Sequence, residues 1–180
     1  IFELSLVAEI HPRYFKRYGD NDKLPRVSPY LLGGIGYFVF NPQAKYDGAW
    51  VDLQPLSTEG QGFYQGRKVY SLNQVAIPFG GGIKFALNEN IRLAFEIGMR
   101  KTNTDYLDDV STTYVGIDKF PVLNGQTSLA GILQDRSYET GTPIGVEGRQ
   151  RGLSKQKDQY ITAELGISFS ISTYKCPSTN

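Results

Sequence analysis

The sequence predicts an all-β protein, an antiparallel up-and-down transmembrane β-barrel with about five strands in this chain and eight in the complete protein. Three observations predict it. Several segments alternate between apolar residues and small or polar ones, the period of a strand with one greasy face. Each run spans roughly 10 to 13 residues, the length a tilted strand needs to cross a bilayer. The connections between runs differ in length, long ones on one side and shorter ones on the other, as in outer-membrane barrels. Helical periodicity fits nowhere.

The first run is Phe2 to His11, where Phe2, Leu4, Leu6, Ala8 and Ile10 oppose Glu3, Ser5, Val7, Glu9 and His11. A polar connection covers 12–27. The next run, Ser28 to Phe40, is apolar on both faces, so alternation leaves its orientation open. A long loop covers 41–74. From Val75 to Leu87, Val75, Ile77, Phe79, Ile83 and Phe85 share one face, and Ala76, Gly80, Gly82 and Lys84 share the other. Pro78 lacks an N–H, which predicts a bulge or strand end near it. Asn88-Glu89-Asn90 reads as a tight turn. In Ile91 to Arg100, Leu93, Phe95, Ile97 and Met99 oppose Arg92, Glu96, Gly98 and Arg100. A very long loop covers 101–159. The last run, Ile161 to Ser172, opposes Leu165, Ile167 and Phe169 to Glu164, Gly166 and Ser168.

The hairpin over 75–100 tests the choice of face. Directly opposed residues of an antiparallel pair lie on one face. A three-residue turn centred on Glu89 sets Arg92 against Ala86, Lys84 against Ala94, Glu96 against Gly82 and Arg100 against Pro78. Every large charged side chain then meets a small one, as the filled interior of a narrow barrel requires. The opposite face sets Phe85 against Leu93 and Ile83 against Phe95, bulky pairs suited to fluid lipid. A water-soluble barrel would carry a denser charged exterior. Leu4, Leu6, Ile83, Phe85, Leu93, Phe95, Ile97, Leu165, Ile167 and Phe169 are therefore expected to face lipid, and Glu3, Glu9, Lys84, Arg92, Glu96, Arg100 and Glu164 the lumen.

A sheet in hydrocarbon must close, because unpaired edge groups cost several kcal/mol each. Bacterial barrels have an even strand number, and the last strand runs to a periplasmic C-terminus. Three strands preceding Ile1 would complete eight. The single domain 1–180 would then carry extracellular loops at about 41–74 and 101–159.

Composition excludes several classes. Nineteen Lys and Arg against eighteen Asp and Glu leave a formal charge of +1, which gives no footprint for nucleic acid. One Cys, Cys176, allows no internal disulfide, and one His, His11, allows no histidine cluster for zinc. No apolar run reaches the length of a membrane-spanning helix. The mean hydropathy of −0.32 does not argue against a barrel, half of whose strand residues are polar.

Within the expected lumen, four acids and three bases read as a salt-bridged plug, with a solute or proton path as the sharper alternative. Asp105, Asp108 and Asp109 read as rim acids or a loop-ordering network, because their spacing is not that of a calcium loop. His11 with Ser5 or Ser28 raises a hydrolase, but no nucleophile-elbow sequence surrounds any serine. Gly80-Gly81-Gly82 lacks the Lys-Ser/Thr pair and helix of a phosphate loop. Tyr14, Phe15, Tyr18, Tyr37, Phe38, Phe40, Tyr160 and Tyr174 lie near strand ends, as interfacial girdles do. No catalytic residue, metal or cofactor is expected.

Four segments carry a resemblance: Ser28-Pro-Tyr-Leu-Leu-Gly-Gly-Ile-Gly-Tyr-Phe-Val-Phe-Asn-Pro, Leu53-Gln-Pro-Leu-Ser-Thr-Glu-Gly-Gln-Gly, Ile77-Pro-Phe-Gly-Gly-Gly-Ile-Lys-Phe-Ala-Leu-Asn-Glu-Asn and Arg100-Lys-Thr-Asn-Thr-Asp-Tyr-Leu-Asp-Asp-Val-Ser. Together the chain resembles the PorG-like outer-membrane β-barrel proteins of Bacteroidota, most closely over 77–111. The resemblance implies a component of the type IX protein secretion system. Its partners would be outer-membrane lipids and a periplasmic ring of a lipoprotein and its partner, which the barrel would anchor to the outer membrane. It implies no catalytic residues. The competing expectation is a stand-alone structural or ligand-binding barrel that acts through its long extracellular loops.

Overall fold

A computed structural model of the chain describes residues 1–12, 26–88 and 90–171. The expected aromatics Tyr14, Phe15, Tyr18 and Tyr174, the turn centre Glu89 and Cys176 lie outside the described residues.

Five long strands form one antiparallel sheet: β1 (Phe2–Ile10), β2 (Val27–Val39), β5 (Asn73–Ala86), β6 (Ile91–Thr102) and β9 (Gln159–Phe169). Each falls where alternation predicts a run. They pair in the order β1-β2-β5-β6-β9, so neighbours in space are neighbours along the chain once the loop strands are set aside. Two further hairpins, β3 (Gln43–Tyr46) with β4 (Ala49–Asp52) and β7 (Val122–Leu123) with β8 (Gln126–Thr127), lie in the connections, as does the short helix α1 (Leu129–Leu133). The connections 40–72 and 103–158 are thus folded segments.

The registers follow from named contacts. β6 and β9 pair Leu93 with Ile167, Phe95 with Leu165, Glu96 with Glu164 and Gly98 with Thr162. Leu87 N–H donates to Ile91 O at 3.0 Å, which closes the β5–β6 turn, and Asn88 Oδ1 accepts from the N–H groups of Asn90 and Ile91. Gly82 lies across from Glu96, since a Cβ there would meet Phe95 O at 2.5 Å. This is the register that the turn length predicts. Ala86 N–H donates to Arg26 O at 2.7 Å, which sets the β2–β5 pairing, and Gly34 lies against the backbone of Leu6 and Val7 on β1.

That pairing settles β2. Its even positions Ser28, Tyr30, Leu32, Gly36 and Phe38 are buried, while Leu31, Ile35, Tyr37 and Val39 are exposed. Two expectations change as a result. β5 runs unbroken through Pro78, whose side chain is fully buried. Ladder parity aims even-numbered backbone groups of β5 at β2, so Pro78 costs one hydrogen bond without ending the strand. Phe38 and Phe40 are not girdle residues. Phe38 on the buried face of β2 and Phe40 just beyond its end pack with Ala76, against which Tyr70, Leu72 and Leu107 close. Tyr160 is half-buried opposite Arg100.

The chain divides into two compact units. One holds Ser5–Gly36, Ile77–Lys101 and the stretch from Gln159, and is the body of the sheet. The other holds Ile1–Leu4, Tyr37–Ala76 and Thr102–Asp158. Its core has two clusters, the Phe38 group and a second of Val115, Phe120 and Ala130 with Leu56 and Tyr64. Tyr70 stacks on Tyr106 with centroids 4.5 Å apart and planes 5° from parallel.

Glycine marks where strand backbones and side chains leave no room. A Cβ on Gly80 would collide with Ile97 O, and one on Gly34 with Leu6 O, whereas Gly33 has nothing within 4 Å. Gly34→Val or Gly80→Val is predicted to destabilise the sheet by about 2 kcal/mol or more, and Gly33→Val to be neutral within about 0.5 kcal/mol. Urea unfolding in non-ionic detergent reads the difference. Equal effects at the three sites would contradict the assigned faces.

Candidate functional site: the polar sheet face and the loop carboxylates

On the polar face of the sheet body, charges are paired through short reaches. Lys84 Nζ bonds Glu9 Oε2, and His11 Nε2 lies 3.0 Å from the same oxygen. His11 Nδ1 lies 3.4 Å from Ser28 Oγ, and the His11 and Tyr30 rings are 5.4 Å apart. Lys84 Nζ sits 4.7 Å from the Tyr30 ring centroid, within cation–π range. Tyr30 OH donates to Glu96 Oε2 at 2.7 Å. Arg100 donates from Nη2 to Glu164 Oε1 at 3.1 Å and from Nη1 to Thr162 Oγ1.

Small residues make these reaches possible. A Cβ on Gly82 would lie 2.6 Å from the Tyr30 phenol, and one on Gly98 would collide with Arg100 Nη1. The β6–β9 ladder sets Glu96 directly against Glu164, a like-charge pair that is costly by itself. Tyr30 on one carboxylate and Arg100 on the other offset that repulsion. Glu3 and Arg92 are half-buried on the same face, Arg92 across from Ser168.

Glu9, His11 and Ser28 stand in the order of a hydrolytic triad, but their surroundings favour a structural role. Ser28 is only 6% exposed, and Glu9 divides its charge between His11 and Lys84. Ser5 is exposed on β1.

The opposite face is apolar and uncovered. Leu4, Leu6, Ile83, Phe85, Leu93, Phe95, Ile97, Leu165, Ile167 and Phe169 are all exposed, from 40% at Leu93 to 87% at Leu165.

In the loop unit, buried carboxylates tie distant segments together. Glu59 is fully buried and accepts from Ser111 N–H at 3.0 Å, Thr112 N–H at 3.1 Å and Thr112 Oγ1 at 3.0 Å, with Arg151 Nη1 3.4 Å away. Arg67 Nη1 donates to the carbonyls of Glu59 and Thr113. Asp109 is also fully buried. It accepts from Tyr70 OH at 2.6 Å and from Thr58 Oγ1, while Arg151 donates to its carbonyl at 3.0 Å. Asp105 accepts from Ser111 Oγ at 2.5 Å, and exposed Asp108 caps Val110 N–H. The three aspartates are therefore loop-ordering groups pointing to different partners. Among the described residues no group of carboxylates, His or Cys is arranged to hold a metal.

Burial pushes the Asp109 carboxyl up, against the pull of its Thr58 and Tyr70 donors. Burial, and then the charges of Asp108 and Asp105, raise Asp158, although Leu107 N–H donates to it at 2.8 Å. Asp135 moves the other way. Partial burial works against ionisation, but donors from Ser137, Gly145 and Ile144 outweigh it and lower the value. The Tyr64 hydroxyl, at 2.6 Å, and then Lys119 hold Glu147 below the usual carboxylate range.

Sequence reasoning identified the charged and apolar positions of the sheet but missed Thr162, and it missed Tyr30 because a run apolar on both faces gave β2 no orientation; Ser28 was raised only as a candidate nucleophile beside His11. It also missed Glu59, Arg67 and Arg151, whose partners lie far away in sequence. Comparison of the chain with protein-family models, curated proteins and solved structures finds no match.

Removing the cation beside a buried carboxylate leaves its charge uncompensated. Arg151→Met is predicted to destabilise the loop unit by about 3–5 kcal/mol, seen as faster chymotryptic cleavage within 40–72 and 103–158. Unchanged cleavage would argue against the network. A carboxyl with a lowered folded-state pKa adds stability above its unfolded value, lost as pH falls through the folded one. Asp135→Asn is therefore predicted to speed amide exchange at Ile144 and Gly145 at neutral pH, relative to the parent protein. That gap should narrow below about pH 4, and a gap independent of pH would refute the linkage.

Proposed function

We propose that this chain is the bilayer-embedded part of an outer-membrane β-barrel, with the apolar face of the sheet in lipid and the ion-paired face lining a filled lumen. The observation that carries this reading is the row of exposed Leu, Ile and Phe side chains running across all five strands. Water-soluble proteins rarely leave an apolar patch of that extent uncovered. The paired charges opposite need no solvent. The strands, tilted, are long enough to cross a bilayer. In hydrocarbon both end strands of the sheet, β1 and β9, require partners, since each unpaired backbone group costs several kcal/mol.

Within the outer membrane, the role we propose is that of an anchor in the type IX secretion system, holding a periplasmic ring of a lipoprotein and its partner. The resemblance carried by segments 28–42, 53–62, 77–90 and 100–111 supports it. The periplasmic contacts would use the turn 88–90, the connection 12–27 and the tail 173–180, most of which lie outside the described residues.

Two experiments test the two levels separately. Leu165→Arg is predicted to cost about 2–4 kcal/mol if the position lies near the bilayer midplane. At a watery surface the same change would be neutral, so neutrality in a vesicle-folding assay would sink the membrane assignment. For the anchoring role, affinity purification from detergent-solubilised native membranes should bring down periplasmic ring proteins. Recovery of the barrel alone would count against it.

A further inference from the structure

A cleft of about 1020 Å³ lies within the loop unit, between Tyr46 at the end of β3 and the segment 116–147. It is built from one compact unit and does not depend on the membrane assignment. Three kinds of surface meet in it. The first is apolar and uncovered: Ile117, Tyr138 and Val146 line the cleft and remain exposed, and Tyr46 adds a second aromatic ring.

The second is a set of acceptors already fixed in place. Asp135 accepts from the backbone N–H groups of Ser137, Ile144 and Gly145 at 3.0, 2.9 and 2.7 Å. Glu147 accepts from the Tyr64 hydroxyl at 2.6 Å, and Lys119 Nζ lies 2.8 Å from Asp118 and 3.4 Å from Glu147. These donors balance the charges, so the cleft does not call for a cation. An ionised carboxylate offers about four acceptor positions. Asp118 and Glu147 thus keep some for the O–H groups of a ligand.

The third is a set of groups that give as well as take. Tyr46, Gln126, Thr127 and Tyr138 line the cleft, and none of these four side chains is hydrogen-bonded to protein among the described residues. Hydroxyls and carboxamides both donate and accept.

A ligand that matches all three surfaces is uncharged, carries hydroxyls that donate and accept, and has a C–H face to lay on an aromatic ring. Anions would meet three carboxylates. A wholly apolar ligand would strip water from the polar lining and return no hydrogen bonds. A sugar meets every requirement, and the volume, at the upper end for a bound small molecule, has room for more than one ring.

We propose that this cleft binds a short neutral oligosaccharide, one ring against Tyr138, with hydroxyls donating to Asp118 and Glu147 and exchanging hydrogen bonds with Gln126 and Thr127. Trp50 provides an internal control. The β3–β4 register pairs Tyr46 with Ala49 and Lys45 with Trp50, and successive pairs face opposite sides, so the exposed Trp50 ring is on the face away from Tyr46.

The test uses the full chain in a polyoxyethylene detergent, because alkyl glycosides would compete, and isothermal titration calorimetry with maltotriose, cellotriose, laminaritriose and mannotriose. At least one should bind with a Kd of about 1 mM or tighter. Its affinity should hold within about twofold as salt rises from roughly 50 to 500 mM. Tyr138→Ala should weaken binding about tenfold, Ile132→Trp, which fills the cleft, should abolish it, and Trp50→Ala should leave it unchanged. Resistance of the loops to chymotrypsin reports folding in every variant. Since Tyr138 is exposed, its truncation reads the cleft even where Ile132→Trp unfolds the loops. Failure of all four saccharides to bind at about 10 mM, loss of binding in Trp50→Ala instead of Tyr138→Ala, or tighter binding of amidated Lys-Leu-Arg-Phe than of any saccharide would overturn the proposal. Insertion of the same preparation into vesicles reads the membrane assignment independently.

Discussion

Every side-chain position on the five-stranded sheet depends on one geometric constraint, the two-residue alternation of a strand carried across successive ladders. A slip of one residue in any pairing would turn a strand over. On β6 it would send Arg92, Glu96 and Arg100 to the side where Phe95 and Ile97 now stand. The pairing of Phe95 with Leu165 and Glu96 with Glu164 keeps like with like, and the contacts of Gly82 and Gly80 carry the same parity to β5. Ala86 with Arg26 carries it to β2, and Gly34 with Val7 to β1. The apolar set changes from odd to even numbers between β2 and β1.

This parity decides what the polar face can contain. The face is narrow in side-chain volume at Gly34, Gly80, Gly82 and Gly98, and the larger groups are placed beside those gaps. Tyr30 occupies the space over Gly82 and Arg100 the space over Gly98. Removing charges from water costs more than their attraction returns unless remaining donors and acceptors are also met. Here Tyr30 gives Glu96 a neutral donor, and Thr162 gives Arg100 a neutral acceptor beside Glu164. The arrangement favours one register over its neighbours more than it adds to stability.

Much of the sheet was legible because alternation is a local signal. The hairpin over 75–100 is the clearest case: the spacing of Phe85, Lys84, Arg92 and Leu93 around a three-residue turn sufficed to assign partners. β2 was not legible, since Tyr30 and Leu31 are equally suited to burial and only the β5 ladder separates them. Phe38 and Phe40 were misplaced for that reason. The loop unit was less legible still. Asp47-Gly48 and Asn124-Gly125 are strong two-residue hairpin signals, and both adopt positive φ, at 47° and 79° and at 52° and 79°. The strands they join are only four and two residues long, too short for alternation to stand out. Ser111 and Thr112, which bond the Glu59 carboxylate, are 52 and 53 positions away, beyond any periodic signal.

The two long connections show why such a body forms at all. The clusters around Phe38 and Val115 draw on both 40–72 and 103–158. Buried carboxylates make the association specific. Glu59, from the first connection, is satisfied by Ser111, Thr112 and Arg151 of the second, and Asp109, from the second, by Thr58 and Tyr70 of the first. Reciprocal demands of this kind penalise every alternative packing, because each would bury a charge without its donors.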